Sequence, residues 1–431
     1  MSDPSQLSCC LADNGLYLPL AQKLAPSFKR MLYWSEWMES FPTINRRVIG
    51  DGYDGIERIS DLWESKGEID LFVFPDILRG GLQLELENQG KMVWGSRNGD
   101  RMETNRGAFM ETLGEIGLTV PTFQSIHGLS ELRAHLKNRE DVYLKMSKYR
   151  GSFETCHWRS WRDDEGMLDN LAVKFGPLQD LMTFYVFDAL QTDLELGADT
   201  YCIDGKFPSV MLNGLEAKDK GYLGVVTKYQ DMPEQLRQVL EAFGPVLGKN
   251  NYRNAFSAEV RVVEGTGYFI DPCCRFPVPG SGAEMELIGN LAEVITAGAA
   301  GELVEPEMTA DFAVECVLTS KCEKHTWRVV DFPESVKSFV KCPDSCEVDG
   351  RICFPPNDQH GEEIGWIFAT GDTIKEAVNT MKERVKLLPD GVHACTESLF
   401  DLLKEALEAE SEGIEIAETI PEPVTALDTA P

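Results

Sequence analysis

The stretch FSAEVRVVEGTGYFIDPCCRFPVPGSG, residues Phe256–Gly282, reads as a β-hairpin. Two apolar-rich runs, Ala258–Val263 and Tyr268–Asp271, flank Glu264-Gly265-Thr266-Gly267. The glycines supply the positive φ that a tight turn needs. Glu259 and Asp271 lie twelve positions apart, symmetric about Gly265. A turn with an odd residue count would set these carboxylates opposite each other on one face. Like charges so placed repel. A divalent cation between them removes the conflict, because Mg²⁺ takes one or two carboxylates and leaves its other positions to phosphate and water. Arg275, just beyond the second strand, offers a planar fork for a phosphate or carboxylate. A surface hairpin with solvated acids accounts for the same letters, so the rest of the chain has to decide.

At 431 residues the chain has room for two to four domains and a sizeable core. Hydrophobic residues at 43% and charged residues at 26% are ordinary for a globular protein. The net charge of −30 is not, and it argues against nucleic-acid backbones and anionic membrane surfaces as partners. From Asp401 onward there are nine acids and one lysine, so −8 of that charge sits at the C-terminal end. Any polyphosphate must therefore be met by local basic groups and metal. Met1–Gln6 is polar with no apolar run after it, and no run reaches the eighteen residues of a membrane span. Twelve cysteines in a chain of this length read as reduced thiols of a cytoplasmic protein.

Residues 6–98 alternate strand and helix patterns. Gln6–Ala12, Arg30–Trp34, Ile69–Phe74 and Met92–Trp94 read as strands, with helices at Leu16–Lys23 and Gly81–Gln89. That alternation predicts a parallel sheet, and without a full GxGxxG run the reading is a Rossmann-like scaffold with no dinucleotide site. Helical spacing follows at Arg106–Glu115 and Ser130–Asn138. Asp141–Met146 is an apolar strand with Lys145 inside it, and such a lysine needs a partner. The next residues, Ser147 to Ser152, are basic and small enough for a flap. Met182–Leu190 reads as a buried strand, Ala198–Ile203 and Lys206–Leu212 as a hairpin around Asp204-Gly205, and Glu216–Gly224 as a lysine- and glycine-bearing loop. Met232–Phe243 and Ala283–Ala300 read as helices. From about Pro306 short strands take over, followed by helices at Thr373–Leu387 and Ser398–Glu410, with a disordered end after Gly413.

Taken together, these features resemble the ATP-grasp superfamily, and within it the phosphoribosylamine–glycine ligases. The resemblance covers about residues 6–390. It implies an α/β and α+β multidomain protein: a Rossmann-like domain at 1–98, a two-lobed ATP-grasp domain at 99–305, a small C-terminal α/β domain at 306–395, and a helix with an acidic disordered tail at 396–431. Asn105-Arg106-Gly107-Ala108-Phe109 stands where the family opens a helix with Ser-Lys-Ala-Phe, so Arg106 takes the place of a phosphate-contacting lysine. Lys145 matches the strand lysine that reaches the ATP phosphates. Lys148 belongs to a segment standing where the family has its flap, with one glycine instead of several. Tyr185, Val186, Phe187 and Asp188 match the hinge whose backbone reads adenine. Asp199 matches the acid that binds ribose hydroxyls. Lys218 and Lys220 lie in a stretch similar to a loop near the phosphates. Glu259 and Asp271 match the metal acids. Cys273 occupies the position of the family's metal-ligating asparagine, and a neutral thiol is a poorer Mg²⁺ ligand than an amide oxygen. Arg275 matches the arginine that ends the same run.

The activity implied is ATP-dependent joining of a small-molecule carboxylate to an amine through an acyl phosphate, as in purine biosynthesis. The cofactor implied is Mg²⁺ or Mn²⁺ with ATP, in a monomer or homodimer. Catalysis would be positioning and charge neutralisation by the metal, Lys145 and either Arg275 or Lys220. A catalytically silent, nucleotide-binding relative acting as a regulatory or interaction module is the alternative, favoured by Cys273 and the glycine-poor flap. Cys322, His325, Cys342 and Cys346 could form a zinc site by residue type, although structural thiols account for them as well.

Overall fold

The computed structural model describes residues 2–35, 48–147, 155–192, 194–321, 326–356 and 362–411, together with 414 and 416. The flap expected at Lys148–Ser152 and the pair Cys322 and His325 lie outside the described residues.

Five parallel strands open the chain: β1 (Ser8–Asp13), β2 (Arg30–Ser35), β3 (Ile56–Arg58), β4 (Leu71–Val73) and β5 (Met92–Trp94), in the order β3-β2-β1-β4-β5. β1 is buried at all six positions, as expected of a central strand covered on both faces. The parallel sheet read from the alternating pattern is thus present.

A four-stranded antiparallel sheet follows, made of β6 (Phe123–His127), β7 (Val142–Met146), β8 (Thr155–Trp158) and β9 (Thr183–Asp188), in the order β6-β9-β7-β8. The helices Leu129–Leu136 and Trp161–Phe175 cover one of its faces and bury Leu132, Leu136, Leu168, Leu171, Phe184 and Val186 with it. Alternation then puts Tyr143, Lys145, Tyr185 and Phe187 on the other face. That face meets the rest of the molecule.

The largest sheet starts with β10 (Glu195–Ile203), β11 (Val210–Ala217), β12 (Gly221–Lys228), β13 (Arg253–Val263), β14 (Thr266–Cys273) and β15 (Phe312–Ser320), ordered β14-β13-β10-β11-β12-β15. After β16 (Arg328–Val330), the sheet is continued by β17 (Val340–Lys341), β20 (Glu363–Gly371) and β21 (Val392–Ala394). Meanwhile β18 (Cys346–Val348) and β19 (Arg351–Phe354) pair with β16 in a separate three-stranded sheet. The segment read as a separate C-terminal domain therefore shares its main sheet with the preceding lobe, through the β12–β15 ladder. The helix Ser398–Ser411 is not set apart either. It packs on the rear of β11 and β12, where Leu402 and Ala406 join the core.

Three further readings are corrected. The stretch Glu216–Gly224 is a tight hairpin connection, with only Lys218–Lys220 outside the strands. The single helix expected over Ala283–Ala300 is two, Ser281–Leu287 and Leu291–Ala299. They part where Gly289 N–H bonds to the Glu307 carbonyl instead of continuing the helix. The helix Trp161–Phe175, capped by Ser160, and the strands β6, β8 and β12 lie where no element was read.

Candidate active site

The hairpin of β13 and β14 places the acids. Val263 pairs with Thr266, so the turn has two residues, Glu264 (φ 49°) and Gly265 (φ 79°). Both lie in the left-handed region, the signature of a hairpin turn whose twist suits the strands. A two-residue turn alone would pair Glu259 with Ile270. The register shifts by one between Val260 and Glu259, so Glu259 faces Asp271 instead. This is a β-bulge, with the extra residue Ile270 on β14. The carbonyl of Ile270 accepts from Arg106 Nη1 at 3.3 Å.

Opposed residues of antiparallel strands share a face. One face of the large sheet therefore carries Glu195, Gly197 and Asp199 on β10. Beside them are Arg261, Glu259 and Ser257 on β13, and Asp271 and Cys273 on β14. Gly214 and Glu216 on β11 and Tyr222 on β12 belong to the same face. The Tyr222 hydroxyl donates to Asp199 across Gly214, where a Cβ would lie 2.2 Å from the Asp199 carboxylate. Burial pushes the Asp199 carboxyl up, against the hydrogen bonds from Ser257 and Tyr222.

Two cations reach this face from elsewhere. Arg106 is the first residue of the helix Arg106–Ile116, whose start is capped by the Asn105 side chain accepting from Ala108 N–H at 3.1 Å. Its backbone N–H donates to Ser147 Oγ at 3.0 Å, and its guanidinium lies over the Phe109 ring at 5.7 Å. Lys145 comes from β7 in the small sheet. Both cations are buried, and each is ion-paired to one oxygen of Asp271. Burial pushes the Asp271 carboxyl up, but Arg106 and Lys145 outweigh it and hold the group below its ordinary range. Glu259 behaves oppositely. Burial, then Glu195, Glu216 and Asp271, push its carboxyl well above the ordinary range. Among the described residues Glu259 has no ion-pair partner, whereas Glu195 is paired with Arg261 at 2.7 Å.

A divalent cation suits Glu259 and Asp271. One carboxylate comes from each strand, and a cation between them would favour the ionised form of Glu259 that burial and its acidic neighbours oppose. Cys273 does not suit it. Its thiol donates to the Arg275 carbonyl at 3.6 Å, and burial pushes it well above the usual thiol range, so it stays neutral.

The other expected site residues separate. Arg275 is gripped by Glu103 at 2.9 Å, lies 4.0 Å from Asp76, and reaches the Tyr17 hydroxyl at 3.5 Å. It therefore belongs to the junction with the parallel-sheet part. The hinge reading of Tyr185, Val186, Phe187 and Asp188 is corrected. Tyr185–Phe187 form the interior of β9, with ladders to β6 and β7 on both sides, so their backbone groups are already committed. Val186 points into the core under the helices, and the Asp188 carboxylate pairs with Arg139. The chain leaves the sheet only from Ala189. Asp199 lies on the face but is buried there, with the Tyr222 hydroxyl donating to it. Lys218 and Lys220 stand exposed in the β11–β12 connection. The charge of Lys218 acts on Glu216 and Cys156, that of Lys220 on Cys395, so Lys218 borders the acidic face through Glu216. Lys148 lies outside the described residues. Among the described residues, no three or more His, Cys, Asp or Glu side chains form a ready metal cluster, so Cys342 and Cys346 gain no support as zinc ligands.

Sequence reading missed Glu195, Glu216 and Glu103. The first could have been found from the period-two run Glu195-x-Gly197-x-Asp199. Glu103 lies 172 positions from its partner Arg275 and carries no local signal.

No family model matches the chain, and no curated protein matches it by sequence. Its fold has clear counterparts among solved structures. The phosphoribosylamine–glycine ligase of Thermotoga maritima superposes with a TM-score of 0.66 at 15% identity, covering 90% of this chain and 99% of that one. A biotin carboxylase of Campylobacter jejuni, solved as a β-γ-ATP complex, gives 0.64 at 13%, covering 96% and 99%. The biotin carboxylase domain dimer of 2-oxoglutarate carboxylase from Hydrogenobacter thermophilus gives 0.61 at 12%, covering 95% and 96%. That structure holds magnesium ADP, ADP and bicarbonate. The chain has the ATP-grasp fold.

Proposed function

We propose that this protein is an ATP-dependent ligase that activates a small carboxylate as its acyl phosphate and transfers the acyl group to an amine. The observation that carries the proposal is the meeting of Lys145 and Arg106, from the small lobe and its entry helix, with Glu259 and Asp271 on the large sheet. Two buried cations are the groups needed to neutralise transferring phosphates, and paired carboxylates are the groups needed to hold a divalent ion. The structural counterparts that hold nucleotide and magnesium support the same ligands here.

In this reading Glu259 and Asp271 would hold Mg²⁺, which would supply charge neutralisation to the nucleotide phosphates. Lys145 and Arg106, here paired with Asp271, would serve the phosphate oxygens. The attacking carboxylate needs no side-chain nucleophile, so catalysis is positioning and electrostatics. Arg275, fixed by Glu103 and beside Asp76 and Tyr17, is placed to orient the acyl donor or acceptor at the edge of the parallel-sheet part. A glycine-ligase-like substrate pair in purine synthesis is the finer form of the proposal. It is supported by the likeness to phosphoribosylamine–glycine ligase over 90% of the chain.

Release of ADP and phosphate, measured with panels of carboxylates and amines, tests it. Nucleotide hydrolysis that depends on one carboxylate–amine pair is the expected result. Tight nucleotide binding without turnover for any pair would favour a catalytically silent relative, a reading to which the neutral Cys273 thiol lends weight.

A further inference from the structure

The hairpin of β18 and β19 turns on Asp349 (φ 52°) and Gly350 (φ 78°), with Val348 paired to Arg351. Its register then sets Cys346 directly opposite Cys353. Among the described residues no other two cysteines are ladder partners. Cys9, Cys10, Cys156, Cys202, Cys273 and Cys316 each face a different residue type. Opposed residues of antiparallel strands have Cα atoms about 4.5–5.5 Å apart and side chains on one face. A disulfide spans Cα separations of about 4.4–6.8 Å, so this pair can close with little backbone movement. The Cys353 side chain already lies within hydrogen-bonding reach of the Cys346 thiol. Otherwise the sulfurs make only weak bonds: Cys346 donates to the Cys353 carbonyl at 3.6 Å, and Cys353 to the Arg351 carbonyl at 3.7 Å.

Both residues are nearly covered, at 4% and 7% exposure, yet both line an open groove of about 380 Å³. Trp327, Val329 and Val348 also line it, each close to half exposed, so the groove opens at the surface. Such a site admits a small oxidant more readily than a bulky one. We propose that Cys346 and Cys353 are a modification site, at which hydrogen peroxide forms a reversible cross-strand disulfide. The Cys353 thiolate attacks one peroxide oxygen, the O–O bond breaks, and the hydroxide released takes up the thiol proton as water. Cys346 then attacks the sulfenic sulfur. The S–S bond forms, the S–O bond breaks, and the second hydroxide leaves as water with the Cys346 proton. Two thiols have lost two electrons to one peroxide. Burial, then Cys353 and Asp51, hold the Cys346 thiol up at about 11, so Cys346 keeps its proton and serves as the resolving sulfur. The tie falls on a sheet edge. Among the described residues β18 has only β19 as a ladder partner. It also rests on residues 50–53, through Gly50 N–H to the Ser345 carbonyl and Glu347 N–H to the Asp51 carbonyl, each 2.9 Å. The disulfide fastens that edge covalently to β19.

The full chain, reduced, desalted and treated with hydrogen peroxide, is alkylated and digested with trypsin. Cleavage after Arg351 separates the two cysteines, so the disulfide shows as two joined peptides that dithiothreitol parts. Cys342 shares the peptide of Cys346, so Cys342→Ser is run beside the wild type and should keep the joined peptides. Cys346→Ser should lose them and leave at Cys353 a sulfenic acid that dimedone captures. Cys353→Ser should lose both. The Cys346 and Cys353 thiols should disappear at least about tenfold faster than the fully buried Cys202 thiol. Circular dichroism confirms that each treated chain stays folded, and the wild-type map decides the matter should a variant misfold. Joined peptides absent from the folded wild type, a link through Cys342 instead, or loss of Cys202 at the same rate overturns the site. Each of these outcomes leaves the ligase reading standing, because no step here uses the nucleotide or the metal.

Discussion

Glu259 and Asp271 face each other across β13 and β14 although the turn joining those strands has two residues, because a one-residue bulge at Ile270 restores the register. Without the bulge Asp271 would lie on the opposite face, away from Lys145, since one residue of slip inverts every side chain beyond it. The bulge also frees the Ile270 carbonyl toward Arg106. The same irregularity thus sets the acid and helps anchor one of its cations.

Asp271→Asn should reduce nucleotide turnover by about 100-fold or more, as expected for loss of a principal charge-stabilising group. Breaking a buried ion pair typically costs about 3–5 kcal/mol, and partial exposure of the Asp271 side chain at 25% places the expected loss at the low end. Thermal unfolding and steady-state kinetics on the same preparation check both effects. Wild-type turnover would remove Asp271 from the chemistry.

Glu315 provides a pH signature. It is fully buried and accepts from the backbone N–H groups of Gly280 and Ala283 at 2.8 Å. Burial outweighs these bonds and raises its carboxyl to about 7. The folded state therefore keeps the proton over a range where the unfolded chain, with a pKa near 4.5, has released it. Stability from this group is full below about 4.5 and falls as pH rises toward 7. Glu315→Gln should flatten the dependence of unfolding free energy on pH across that window, measured by urea denaturation at several pH values. An unchanged slope would show that Glu315 does not titrate there.

Glu264 holds φ at +49° in the turn, a conformation that costs an L side chain about 1 kcal/mol. Asn is better suited to this position beside Gly265. Glu264→Asn should raise stability by about 0.5 kcal/mol without changing nucleotide binding, because the bulge and not the turn residue sets the acids. Calorimetric melting and ADP titration check this.

Arg275→Lys should weaken the acyl donor or acceptor and spare the nucleotide. Lysine cannot reproduce the fork that meets Glu103 while reaching the Tyr17 hydroxyl. We expect KM for one of the joined substrates to rise about tenfold or more, with ADP affinity within about twofold, because Arg275 makes no contact with Asp271. Equal loss of ADP affinity would place Arg275 at the phosphates instead.

Much of the site was legible in the letters. Lys145 inside an apolar strand, two acids symmetric about a glycine turn, and an arginine just beyond are each local patterns. Even so, the turn was read as Glu264–Gly267 where it holds only Glu264 and Gly265, and the pairing of Glu259 with Asp271 came out as expected only because the bulge compensates. The hinge at Tyr185–Asp188 failed for a different reason: a strand with neighbours on both sides looks the same in sequence as one whose backbone is free. Cys273 was visible as a departure, but its thiol's orientation toward Arg275 was not.

Periodicity and turn chemistry act over a few neighbouring residues, so the letters were enough for most of the strands, for the run of parallel β-α alternation and for which residues could bear charge, though not for β6, β8 and β12. Only the tertiary structure decided which charges meet. Arg106 and Asp271 are 165 positions apart, Lys145 and Asp271 are 126 apart, and Glu103 and Arg275 are 172 apart. Their partnership depends on how separate sheets pack, and in a low-dielectric interior that packing, more than residue type, fixes which acid is ionised and which cation is occupied.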